Sequence, residues 1–165
     1  REVAGKYIGY YLSGEPAFIN LIDNKIAVIL RGGYRASERC QMGNHELAFS
    51  PAGNIYPCER LVGDGGAGGH CIGNIHDGVD ISRMSCHLIP DQETNPECLL
   101  CGLKDYCMNW CGCINYTLTG AINHTGGAVC FHGRLAIRVA DRVGAALYGE
   151  RNPAFIARFY GAGPG

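Results

Sequence analysis

The chain has 165 residues, 10 of them cysteine and 25 glycine, with 14 Lys+Arg against 15 Asp+Glu. A chain of this length can bury a core as one domain without staples, so the cysteines need another explanation than small size. A formal net charge of −1 with no Lys/Arg-rich block gives no electrostatic footprint for nucleic acid and no polybasic membrane patch. Apolar runs such as residues 26–30 stop far short of the roughly 20 residues that span a bilayer.

The first residues carry Val3, Tyr7, Ile8 and Tyr11 as a partly apolar helical stripe, and Arg1 stands where a start methionine would, which predicts a chain cut from something longer. Over residues 16–30, Phe18, Leu21, Ile22, Ile26 and Ile29 recur at three- and four-residue intervals, predicting a helix with one buried face, with Glu15 and Pro16 suited to its first turn. Arg31-Gly32-Gly33 ends it. From residue 35 to about 131 the character changes to short strands, turns and cysteines. Residues 46–49, 50–53 and 54–58 read as strand, turn and strand, a hairpin carrying Cys58 at its end. Residues 61–75 hold too many glycines for a helix interior and read as a loop entering a short strand at 72–75. After Cys130, the four-residue recurrence of Leu135, Val139, Val143 and Leu147 predicts a last amphipathic helix before a Gly-Pro-Gly tail. The predicted class is α+β: a small, hairpin-containing, cysteine-rich domain over 35–131, flanked by helical segments 1–34 and 132–165.

The densest motif is Cys98-x2-Cys101-x5-Cys107-x3-Cys111, with four thiols inside 14 residues. Soft thiolates so spaced suit zinc or an iron-sulfur cluster. Upstream, twelve residues separate Cys40 from Gly53 and four more separate Gly53 from Cys58, while Cys130 stands alone downstream. A structural zinc site and a disulfide framework remain as alternatives, the second suggested by the glycosylation sequons at Asn115 and Asn123. Gly63-Asp64-Gly65-Gly66-Ala67-Gly68 satisfies G-x-G-x-x-G but leads toward a strand, whereas a dinucleotide site needs a helix there. The six histidines show neither H-x3-H nor H-E-x-x-H spacing.

These seven cysteines, in the order C-x(9–15)-G-x4-C, gap, C-x2-C-x5-C-x3-C, gap, C, resemble the signature of the SPASM domain. That domain is the auxiliary-cluster extension of radical S-adenosylmethionine (SAM) enzymes that modify peptides and proteins, similar to anaerobic sulfatase-maturating enzymes and to maturases of ribosomal peptides. The residues between also match, for 49–58 look like the family's hairpin and Ile72-Gly73-Asn74-Ile75 like its short strand.

The resemblance implies two auxiliary 4Fe-4S clusters. The first would take Cys40, Cys58 and Cys111, and the second Cys98, Cys101, Cys107 and Cys130. Full-ligation members supply a further cysteine between the first cysteine and the hairpin glycine, and this chain has none. Cys71 is the favoured replacement, with Cys113, Cys86 and His45 as competitors, or an iron left open to substrate; Cys111-Gly112-Cys113 needs a sharp turn at the glycine before both thiols can face one cluster. Glu59, directly after the hairpin cysteine, holds the place of a carboxylate thought to accept a proton in sulfatase-maturating members. Tyr106 and Trp110 would shield the clusters from water and so tune their potentials.

No C-x3-C-x2-C occurs, so SAM and a third 4Fe-4S cluster would belong to a missing barrel before Arg1, on the order of 200 residues by comparison with full barrels of about 250. Residues 2–30 would then be the barrel's last helix and the bridge. The implied partners are that barrel and a peptide or protein substrate, with no nucleic acid and no membrane, in the cytoplasm. A non-enzymatic zinc module and an independent two-cluster electron carrier are the other readings.

Overall fold

The computed structural model describes residues 2–40, 42–43, 46–63, 69–85, 96–108 and 111–161. The chain folds as an α+β protein in two units. One gathers residues 1–34, 105–107 and 131–165; the other holds 35–104 and 108–130. Among the described residues there are seven α-helices and one four-stranded antiparallel sheet. No described helix is long and apolar enough to cross a membrane.

The helical unit contains α1 (Glu2–Leu12), α2 (Asn20–Leu30), the part of α6 (Gly127–Gly149) from residue 131 onward, and α7 (Pro153–Phe159). Its core is Tyr7 and Tyr11 from α1, Ile22 and Ile26 from α2, Ala140, Val143 and Leu147 from α6, and Phe155 from α7. Tyr7 and Tyr11 of the apolar stripe are fully buried, because α6 and α7 supply the apolar partners: the Tyr11 ring meets Phe155 edge-on at 5.8 Å. Val3 does stay outside, 55% exposed.

Helix α2 starts four residues later than expected. Glu15 and Pro16 lie outside it, and the N-terminal signal is Asp23, whose Oδ2 accepts the Ile19 N–H at 2.8 Å. The same buried carboxylate pairs through Oδ1 with Arg158 of α7 at 3.0 Å.

The inward stripe of α6 is Gly133, Ala136, Ile137, Ala140, Val143 and Leu147, so Val143 and Leu147 face the core as the periodicity requires, while Leu135 is 48% exposed. An every-fourth-residue row drifts around a helix of 3.6 residues per turn, and its first member leaves the face on which the last two sit. The periodicity also stopped short of α7. There Arg151 adopts a left-handed φ of 49°, Asn152 caps the Phe155 N–H at 3.0 Å while donating its amide to the Tyr11 carbonyl at 3.0 Å, and Pro153 opens the helix.

Burial, the Tyr11 hydroxyl and the charge of Asp23, in that order, push the Tyr7 hydroxyl well above the ordinary tyrosine range. The unfolded chain therefore loses this proton first. Stability of the helical unit is fully present below about pH 10 and falls as pH rises beyond it. Alkaline titration followed by circular dichroism is expected to show this loss, and Tyr7→Phe to reduce its steepness.

In the cysteine-rich unit the strands β1 (Ala48–Phe49), β2 (Asn54–Tyr56), β3 (Gly73–Asn74) and β4 (Gly78–Val79) pair in sequence order. The β1–β2 hairpin forms where Ser50-Pro51-Ala52-Gly53 stood in the sequence, with Ala48 opposite Tyr56 and Phe49 opposite Ile55. Ser50 closes the turn, accepting the Gly53 N–H on its carbonyl (2.9 Å) and the Asn54 N–H on its hydroxyl (3.2 Å). Gly53 has φ +78°, and a Cβ there would press on the Ile75 side chain, so two independent constraints demand glycine. The strand expected at 72–75 is β3, shorter than expected at Gly73–Asn74, and it pairs with β2 through Asn54 opposite Asn74 and Ile55 opposite Gly73. Helix α3 (Ile81–Ser85) is capped by Asp80, helix α4 (Pro96–Leu99) carries Cys98, the first cysteine of the dense motif, and α5 (Gly112–Thr119) follows that motif, ending at Gly120 with φ +77°.

Candidate metal centre

Hairpin, short loop and helix start bring cysteines together in the cysteine-rich unit. Cys58 leaves β2 and opens a 3-10 turn over Glu59–Leu61. Cys111 is the N-cap of α5, and Cys113 is that helix's second residue. Met42, Cys58, Leu61 and Cys113 form a buried cluster, against which Cys40, Cys111, Ile114 and Ile122 pack.

The sulfurs neighbour one another in a chain. Cys111 lies 3.1 Å from Cys113, Cys40 interacts with Cys111, and Cys113 interacts with Cys58. Cys111 is the member whose pKa is drawn down. Donation from the Cys40 thiol outweighs the penalty of burial, and the Cys113 thiol, the Ile114 N–H and the charge of Arg60 add to it, so that its pKa is drawn down to about 5. The first-turn N–H groups of α5 provide the positive end that such a thiolate needs. The neighbours move the other way: Cys40 is pushed up by its bond to Cys111 and by burial, and Cys113 up to about 12, chiefly by burial.

Of the residues expected at the first cluster, Cys40, Cys58 and Cys111 thus come together. Cys71 is placed elsewhere, its thiol donating to the Gly73 carbonyl at 3.3 Å beside β3. Cys113 stands beside the other three. The turn that its spacing from Cys111 requires is the start of α5: Cys111 is extended at φ −64°, ψ 102°, and Gly112 begins the helix. The sequence signal for this was the Ile114–Thr119 run after Cys-Gly-Cys, too short to stand out by periodicity. Cys86, His45 and Trp110 lie outside the described residues, as do residues 64–68 of the G-x-G-x-x-G stretch.

Glu59 is exposed at the first position of the 3-10 turn, one residue from Cys58. In the second set, a tight turn joins Cys98 to Cys101, whose N–H donates to the Cys98 carbonyl at 3.0 Å, and Cys130 lies in the first turn of α6. Cys107 closes the segment 105–107 of the helical unit. That segment is held by Tyr34 N–H on the Asp105 carbonyl (2.8 Å) and by the Lys25 ammonium on the Tyr106 carbonyl (2.9 Å). Gly33, at φ +128°, lets it pass, since a Cβ there would stand 3.0 Å from the Asp105 oxygen. Tyr106 is half-buried.

Four soft donors, one of them ionised near neutral pH, fit the all-sulfur set that an iron-sulfur cluster takes. Among the described residues no three His, Cys, Asp or Glu side chains converge as ligands of a single metal ion would. A cluster would take these thiolates on separate irons, so the sulfurs of Cys111 and Cys113, 3.1 Å apart here, would turn away from each other to hold it. All nine described cysteines are free thiols. Asn115, in the first sequon, is 3% exposed on α5 and donates its amide to the Ile122 carbonyl at 3.1 Å, so glycosylation there would require unfolding the helix. The chain matches no protein-family model. It also matches no curated protein.

Proposed function

We propose that this chain is an auxiliary-cluster domain of the SPASM type, belonging to a radical SAM enzyme that matures a peptide or protein, and that it binds two 4Fe-4S clusters. The observation that carries the reading is the meeting of Cys40, Cys58 and Cys111, separated by up to 70 residues of chain, around one buried apolar cluster. Cys98, Cys101, Cys107 and Cys130 are assigned to the second cluster on the resemblance to the SPASM signature. When bound, such clusters supply one-electron acceptors beside the substrate. The chain's own residues hold them, exclude water with Met42, Leu61, Ile114 and Ile122, and offer Glu59 as a nearby proton acceptor. SAM and its own cluster belong to a separate barrel in this reading. In this reading the protein works in the cytoplasm, since oxygen-sensitive clusters require a reducing compartment.

The test is anaerobic purification with iron, sulfide and zinc counted per chain. About eight irons with matching sulfide are expected for two 4Fe-4S clusters. Zinc without iron, or neither metal, would overturn the reading in favour of a zinc module or a metal-free domain. In the complete enzyme, Glu59→Gln is expected to slow turnover by about 10²-fold with iron unchanged; full activity would return Glu59 to the solvent.

A further inference from the structure

We infer that Cys113 is the fourth protein ligand of the first cluster, completing Cys40, Cys58 and Cys111, an assignment that rests on the cluster reading above. Three candidates are described in the structure: Cys113, Cys71, or no fourth thiolate. Cys71 is engaged with its own strand, donating to the Gly73 carbonyl two residues on, and is absent from the buried cluster that contains the other thiols. Cys113 is 1% exposed, touches both Cys58 and Cys111, and shares the same apolar wall of Met42 and Leu61.

A buried thiol in contact with two ligand sulfurs leaves no place for a substrate atom to approach unless that thiol is displaced. The first cluster is therefore closed by protein on four sides, and its part is electron acceptance, with substrate coordination excluded. The geometry that permits this is local. Cys111 caps α5 while Cys113 lies within its first turn.

The experiment uses the whole chain, prepared anaerobically as wild type, Cys113→Ala, Cys113→Ser and Cys71→Ala, with iron and sulfide counted and the reduced clusters examined by electron paramagnetic resonance. The expected result is that Cys113→Ala loses about half of the iron and one of two cluster signals, whereas Cys71→Ala keeps both. Cys113→Ser, which preserves shape and offers oxygen in place of sulfur, is expected either to lose the same half or to shift that one signal. This second variant decides the matter if circular dichroism shows Cys113→Ala to be unfolded. Wild type with two clusters and Cys113→Ser with both signals unaltered would overturn the ligand assignment alone, as would loss of one cluster in Cys71→Ala. Wild type without iron would overturn the cluster reading and this inference with it.

Discussion

Replacing Cys111 with alanine is expected to remove about half of the iron from the anaerobic chain and to leave residues 35–130 open to proteolysis. Cys111 joins Cys40 to Cys113 in the line of thiols, and it is the one drawn down to about 5. Without it Cys40 loses its sulfur partner, and the N-terminus of α5 loses an anion worth roughly 0.3–1 kcal/mol. In the proposed reading the larger effect comes through the metal, since ligand binding absent from the unfolded chain adds directly to folding free energy. The sheet cannot compensate, for each of its strands is two or three residues long. Retention of all iron, counted beside sulfide, would remove Cys111 from the ligand set.

Asp23→Ala is expected to destabilise the helical unit by about 3 kcal/mol, lowering its thermal midpoint by on the order of 10 to 20 °C. One oxygen of this buried carboxylate holds the Ile19 N–H at the start of α2, and the other pairs with Arg158 on α7. Removing it leaves an unsatisfied N–H at a helix start and an arginine without its anion. Asp23→Asn keeps an acceptor for Ile19 and loses only the charge pairing, so its midpoint should fall between wild type and Asp23→Ala. Equal midpoints for all three proteins would show that the pair contributes nothing.

What the sequence disclosed about the fold divides along physical lines. The β1–β2 hairpin was readable because Ser50, Pro51 and Gly53 act locally, through one turn's dihedrals and hydrogen bonds. Helices α1, α2 and α6 were readable from the spacing of their apolar residues, though their boundaries and faces were not. The start of α2 depends on Asp23 acting from inside the helix, and the exposure of Leu135 depends on which side of α6 meets its neighbours. Helices α5 and α7, eight and seven residues long, are too short for a period to emerge. What the stripe of Tyr7 and Tyr11 packs against was not legible locally, because Ala140, Val143, Leu147 and Phe155 come more than 120 positions later. At the candidate metal centre, the association of Cys40, Cys58 and Cys111 was implied by the resemblance to the SPASM signature. The position of Cys113 did not follow from spacing, since it turns on where a helix begins.

The core that unites α1 and α2 with α6 and α7 has a consequence for the order of synthesis. Tyr7, Tyr11, Ile22 and Ile26 leave the ribosome long before Ala140, Val143, Leu147 and Phe155 exist. Every thiol from Cys40 to Cys130 is translated in that interval. The loop between the two halves of the core carries an entropic closure cost that grows only logarithmically with its length, so the delay is one of time more than of free energy. During it, two aromatic side chains destined for full burial face water on the nascent chain, where a chaperone would find them. Cysteines that fold and load metal early would shorten that exposure by contracting the loop before its far end is made.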